Sequence, residues 1–204
     1  MLTKERLRHL EGVVRRALSA PGAIVGAGVL SQEAVRAISR EMDGIRLLAP
    51  PSVPGFAYLE VAHDDDAFDI GVFLMPAGAA FPYHDHPGMT VFTRVLAGSV
   101  RIRNLDWVDG APAVDANGRL TGRYVVQSDA IRDASLPTTV LTPSSGNVHG
   151  ITAYAHSAIL DVIVPPYDAE RCCSYFADAG GMRLVEVDEP HGLDLACYDA
   201  MACF

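Results

Sequence analysis

Long apolar runs are missing from this sequence. No stretch of its 204 residues is continuously hydrophobic enough to span a bilayer, which argues against a helical membrane protein. The N-terminus also lacks the continuous apolar core of a secretory signal. Its first segment is Arg-rich, as a mitochondrial transit peptide would be, but Glu5, Glu11 and the shortage of Ser weigh against that alternative. An excess of positive charge is absent too. Sixteen Lys and Arg against 25 Asp and Glu leave a formal charge of −9, which argues against an electrostatic nucleic-acid binder. Cysteine is scarce. Cys172, Cys173, Cys197 and Cys203 cluster late and lack the paired spacing of a zinc knuckle. The neighbours Cys172 and Cys173 are poor partners for one disulfide. Free thiols in a reducing compartment, cytoplasmic or nuclear, are therefore expected. No internal repeat and no second domain are visible.

Half of the residues are hydrophobic, enough for one sizeable core. Residues 3–20 read as a helix capped by Thr3, with Leu7, Leu10, Val14 and Leu18 at helical spacing. Arg8, Arg15 and Arg16 fall on other faces and are expected in solvent. Ser31 caps a second helix with Val35, Ile38 and Met42 as its apolar stripe. Gly44 stands where a helix end calls for a left-handed residue. Residues 1–45 thus form a helical preface, and Pro50 to Gly55 form a turn or linker.

From Phe56 onward the pattern is short strands and turn signals. Tyr58, Glu60 and Ala62 alternate with Ala57, Leu59 and Val61, Asp64-Asp65-Asp66 marks a polar turn, and residues 69–75 are apolar on both faces. Thr90–Leu96 and Ser99–Leu105 are β-branched and aliphatic runs separated by Ala97-Gly98, a spacing that predicts a hairpin. Asn117-Gly118 marks a tight turn within the Gly-, Pro- and Asp-rich residues 109–122. Further strands are expected at about 123–127, 138–142, 148–154 and 158–164, with pieces at Tyr175-Phe176 and 183–187. This predicts a mainly β fold, a closed or two-sheet jelly-roll barrel with a C-terminal tail over residues 56–204, and one domain over residues 1–204.

The chain's chemistry centres on His84-Asp85-His86. In a strand, alternate side chains share a face, so His84 and His86 project together and Asp85 projects away. His149, at a strand start after the turn Pro143 to Asn147, can supply a third leg. A cupin, the metal-binding form of the jelly roll, usually adds a Glu a few residues after His-x-His. Here that slot holds Thr90 or Val91, neither with a carboxylate. The expected ligand set is therefore three neutral imidazoles. Such a set suits zinc, iron or copper, and an anionic thiolate could bind the metal and offset its charge. His9, His63, His156 and His191 are expected at the surface or as caps.

Residues 82–92 (Pro-Tyr-His-Asp-His-Pro-Gly-Met-Thr-Val-Phe) strongly resemble a segment of the plant cysteine oxidase and cysteamine dioxygenase family. The following strands through Asp106-Trp107, residues 146–153 (Gly-Asn-Val-His-Gly-Ile-Thr-Ala), residues 160–167 (Leu-Asp-Val-Ile-Val-Pro-Pro-Tyr) and residues 171–176 (Arg-Cys-Cys-Ser-Tyr-Phe) are similar to its other segments. The resemblance runs from about residue 30 onward. It implies a cupin with Fe(II) on His84, His86 and His149. It implies addition of both atoms of O₂ to a thiol, giving a sulfinic acid, with an N-terminal cysteine of a protein or peptide, cysteamine, or both as substrate, and a role in oxygen sensing. It places Asp161 and Tyr167 at the substrate site, and it matches Cys173 and Tyr175 to a pair that is crosslinked in some animal members.

The residues give their own reasons. Asp161 interrupts an apolar strand and needs a partner, either the substrate amine or hydrogen bonds that position a loop. Tyr167 follows Pro165-Pro166, which stiffen its approach. Its hydroxyl either hydrogen-bonds bound oxygen or thiolate, or the ring simply packs. For Cys173 and Tyr175 two unlinked side chains are the plainer reading. The chain departs from the family at Gly150, where a bulkier residue is usual, at Tyr83, where an aliphatic one is, and over residues 109–122. These changes bear on substrate preference rather than on chemistry. The expectation is an iron-dependent, monomeric thiol dioxygenase that binds no nucleic acid and no membrane. The alternatives are another cupin metalloenzyme using zinc, nickel or manganese, or a non-catalytic cupin that binds a ligand.

Overall fold

The computed structural model describes residues 2–51 and 55–189 and the backbone of 196–199. Two helices and fifteen strands follow in chain order. They begin with α1 (Lys4–Ser19), the short strands β1 (Ile24–Gly26) and β2 (Val29–Leu30), and α2 (Gln32–Asp43). The sheets are built from β3 (Ala57–Asp64), β4 (Phe68–Met75), β5 (Ala80–Asp85), β6 (Thr90–Ala97), β7 (Ser99–Trp107), β8 (Ala113–Val114) and β9 (Leu120–Asp133). They continue with β10 (Thr139–Leu141), β11 (Val148–Ala153), β12 (Ser157–Val164), β13 (Tyr175–Asp178), β14 (Arg183–Val187) and β15 (Ala196–Asp199).

Both helices start as their sequences dictate. The Thr3 hydroxyl accepts the Arg6 N–H and the Ser31 hydroxyl accepts the Ala34 N–H, each filling one orphan donor of a first turn. Leu7, Leu10 and Val14 of α1 and Ile38 and Met42 of α2 are fully buried. They share one core with Phe68, Ile70, Val72, Leu96 and Leu160 of the strands, so the preface packs on the outside of one sheet. Gly44 is right-handed, at φ −76° and ψ −12°, not left-handed as expected. A β-carbon there would lie 2.7 Å from the Arg6 guanidinium, the mobile end of a partly exposed side chain, so neither backbone nor space demands glycine.

The strands form two sheets. One has the order β10-β6-β12-β4-β3-β15, the other β14-β13-β5-β11-β7-β9-β8. Among the described residues, every pairing but the parallel pair β15–β3 is antiparallel. This is the two-sheet, double-stranded β-helix arrangement of a cupin. Buried side chains between the sheets, among them Met75, Val95, Val100, Ile102, Ile151 and Ile159, form a separate cluster. The sequence reading erred at β6 and β7, which are not a hairpin. β6 pairs with β12 and β10, while β7 pairs with β11 and β9 in the other sheet. Gly98 turns a corner between sheets, with φ +81° and no room for a β-carbon beside His156 and Ser157. All eight residues of β6 are buried, as suits a strand flanked on both edges and covered on both faces. β9 runs well past the expected 123–127. Most of its side chains are exposed, so no apolar alternation marked its length.

Candidate metal centre

β5 and β11 lie side by side with His84 opposite His149. A bulge interrupts the pairing: Pro82 and Tyr83 together face Gly150. Proline within a sheet favours such a bulge, because it cannot donate to the ladder. The bulge has two consequences. The Pro82 carbonyl accepts the His84 Nδ1–H at 2.9 Å. The Tyr83 ring lies over Gly150, where a β-carbon would be 3.0 Å from it, and the Tyr83 hydroxyl accepts from Arg103 at 2.7 Å. The two departures from the family pattern are thus one contact on the outer side of the ligand-bearing strands.

The three imidazoles meet at their Nε2 atoms. His149 Nε2 is 3.1 Å from that of His86 and 3.0 Å from that of His84. All three rings are buried. A carbonyl only accepts, so Nδ1 of His84 carries the proton and its Nε2 lone pair faces inward. The same logic holds for His86. Tyr167 Oη lies 2.7 Å from the Asp85 carbonyl and 2.6 Å from His86 Nδ1. The tyrosine donates to the carbonyl and accepts from the ring. Burial holds the Tyr167 phenol well above its ordinary range, so it remains a donor. Burial pushes the His84 imidazolium down to about 4 and those of His86 and His149 well below the ordinary range. The centre is therefore three neutral rings, with the Nε2 lone pairs of His84 and His86 facing His149.

Spacing tests the fit. Two nitrogens held about 2.1 Å from one cation stand about 3.0 Å apart at a right angle and about 3.4 Å apart in a tetrahedron. The observed 3.0 and 3.1 Å lie close to both, so His149 can share one cation with each of the other two. His84, His86 and His149 can hold a metal ion, and no carboxylate joins the cluster among the described residues.

The imidazoles open into a cavity of about 160 Å³ with largely apolar walls, including Phe73, Met75, Phe81, Ile151, Ile159 and Ile163. Asp161, Tyr167 and Cys173 complete the lining. Asp161 sits on β12 of the opposite sheet, and its Oδ1 is buried without a hydrogen-bond partner. Burial pushes its carboxyl up to about 7, partly offset by the Thr93 hydroxyl. Cys173 precedes β13 rather than belonging to it. Its thiol contacts the Tyr167 and Tyr175 hydroxyls and is raised to about 11, chiefly by burial. Cys172 and Cys173 are free thiols. The Cys197 and Cys203 side chains and all of His191 lie outside the described residues. His9 and His63 pair with acidic neighbours near the surface, and His156 is exposed.

Sequence reading gave no role to Asn147 or Asp106. Asn147 grips the His86 backbone twice, accepting its N–H at 3.2 Å and donating to its carbonyl at 2.7 Å. Asp106 accepts the Gly146 N–H beside it. One side chain thus joins the two ligand segments across 61 residues. Asn147→Ala is expected to weaken metal retention about 10–100-fold, the usual effect of losing a group that orients a ligand. Competition with a chelator measures this, and unchanged affinity would discard the role.

Residues 42–197 match the PCO_ADO family. Plant cysteine oxidase 1 of Arabidopsis thaliana is 40% identical over 130 residues, which cover 62% of this chain and 43% of that protein. Human 2-aminoethanethiol dioxygenase is 34% identical over 146 residues, covering 62% of this chain and 54% of that one. The chain spans about half the length of the curated relatives it matches. Among solved structures, oxalate oxidase with a substrate analogue aligns at TM-score 0.41 and 17% identity, over 62% of this chain and 59% of that one. An RmlC-like cupin from Desulfovibrio desulfuricans aligns at 0.39 and 23%, over 59% and 94%. Among the described residues no helix is long and apolar enough to cross a membrane. With the three histidines, Asn147 and Asp161 all inside the matched span, the chain belongs to the PCO_ADO family.

Proposed function

We propose that this chain is an Fe(II)-dependent thiol dioxygenase that converts the thiol of an N-terminal cysteine, of cysteamine, or of both to a sulfinic acid. The observation that carries the reading is the pairing, within one small cavity, of a three-imidazole face with the Asp161 carboxyl, whose Oδ1 has no hydrogen-bond partner. An aminothiol has a group for each. A cavity of about 150 Å³ holds a ligand the size of benzene, so the head of the substrate fits and the rest of a peptide would lie outside. The relatives' names, a cysteine oxidase and a 2-aminoethanethiol dioxygenase, share that head group.

His84, His86 and His149 would hold the iron, their Nε2 atoms being close enough to share one cation. Iron bound there would supply an open face where thiolate and O₂ meet. The chain's own groups do the rest. Asp161, ionised, receives the substrate ammonium and fixes the thiol's direction. Tyr167 keeps the His86 ring in its tautomer and acts as a positioning residue. The apolar walls exclude water from the reacting sulfur. Cys173 and Tyr175 are read as an unlinked pair. The chain is further read as one monomeric domain in the cytoplasm. The core shared by its helices and first sheet supports the single domain, and the free thiols Cys172 and Cys173 fit a reducing compartment. With O₂ as a substrate, turnover would follow oxygen supply, as an oxygen sensor requires.

The test is an aerobic assay of the Fe(II)-loaded protein with cysteamine and with a short peptide beginning with Cys, read by mass spectrometry. A gain of two oxygens on the peptide is expected. Oxidation of cysteamine alone would make the chain a small-thiol enzyme. Stoichiometric iron with neither thiol oxidised would refute the reading and leave a ligand-binding cupin.

A further inference from the structure

The β1–β2 hairpin lies outside the residues that match the family, 42–197, yet it reaches the turn that follows His86. A β-carbon on Gly28 would fall 1.6 Å from the Gly88 carbonyl oxygen and 3.1 Å from the Met89 nitrogen. Gly28 has φ +67°, so only a residue without a side chain makes this approach without strain. From the other side, the Thr90 hydroxyl donates to the Gly28 carbonyl at 2.6 Å. The segment so gripped is the turn that leaves His86. Its Met89 N–H donates to the His86 carbonyl at 3.1 Å, and Met89 and Thr90 are fully buried.

The hairpin is joined at its ends to α1 and α2, with Ala23 and Leu30 in the core they share, and its strands contribute little more. All three residues of β1 are exposed, and of β2 only Leu30 is buried. Asn147 and Tyr167 fix His86 from later parts of the chain. Gly28 and Thr90 close the same turn from the earlier part. We propose that the β1–β2 hairpin is a clasp on the turn after His86, with Gly28 and Thr90 as positioning residues that set where the His86 imidazole stands. This inference rests on reading the three histidines as a metal site.

The experiment is a cobalt(II) titration of the metal-free, full-length protein, followed by visible absorption and by the rate of cobalt loss to a chelator. Gly22 supplies the control. It has φ +73°, and a β-carbon on it would meet nothing within 4 Å, so Gly22→Ala carries the same backbone penalty without the contact. Gly28→Ala and Thr90→Val are expected to release cobalt about 10–100-fold faster than wild type and to alter its absorption envelope. Gly22→Ala and Thr90→Ser, which keeps the hydroxyl, should behave as wild type. If Gly28→Ala does not fold, the Thr90 pair decides. Equal behaviour of Gly28→Ala and Gly22→Ala, or of Thr90→Val and Thr90→Ser, with cobalt bound by wild type, overturns the clasp alone. No cobalt binding by wild type overturns the metal site and the clasp together.

Discussion

His149→Ala is expected to give a folded protein that neither retains an equivalent of iron nor oxidises thiols above background. His149 has its Nε2 close to both of the other two, at 3.1 and 3.0 Å. Without it, two imidazoles remain and the face is open on one side. The fold should tolerate the change, since the metal-free rings are neutral and the change leaves no buried charge unpaired. Acid would show this. The buried imidazoles protonate only well below their ordinary range, whereas the unfolded chain takes up protons near pH 6.5. Metal-free wild type therefore loses stability as the pH falls below about 6.5, and the variant should lose less. Iron content after gel filtration and the peptide assay measure the main effect, with His156→Ala as an exposed-histidine control. Full iron and full turnover in His149→Ala would remove it from the ligand set.

Asp161→Asn is expected to make the protein more stable and less active. Burial raises the Asp161 carboxyl to about 7, while in the unfolded chain it titrates near 4. Between about pH 4 and 7 the folded protein holds a proton that the unfolded chain has released. The Asp161 contribution to stability therefore falls as pH rises through that window and levels off above it, opposite in sign to that of the three buried histidines. The asparagine variant lacks this slope and should gain on the order of 2–4 kcal/mol at pH 8. The substrate ammonium would lose its counter-charge, a loss of about 2–5 kcal/mol, or at least roughly thirtyfold in kcat/KM. Denaturant melts from pH 4 to 8 and steady-state kinetics test both halves. Normal turnover with the slope abolished would make Asp161 a structural residue.

Periodicity and local signals made part of this centre legible. His84 and His86 share a face because strands alternate, and the turn before His149 marks it as the start of a strand. The error at Ala97-Gly98 has a physical cause. A glycine with positive φ serves a hairpin and a corner between sheets equally well, and only the partners of β6 and β7, which are remote in sequence, decide which one forms. Tyr167 showed as a stiffened tyrosine near the site, but its bond to His86 spans 81 residues and has no local signature. Tyr83 and Gly150 each stood out as a departure, and only the bulge shows that each accommodates the other. Gly28 gave no signal at all, because its constraint comes from a carbonyl 60 residues along the chain.

The separation of His86 and His149 by 63 residues also bears on synthesis. At about 5–20 residues per second, the second ligand segment leaves the ribosome roughly 3–13 s after the first. Until then His84 and His86 have neither Asn147 to hold them nor β11 beside them. β6 likewise waits for β12. Long-range pairing of this kind slows folding, so a metal bound by all three histidines would load onto a nearly finished chain, and cells starved of that metal would accumulate folded apoprotein.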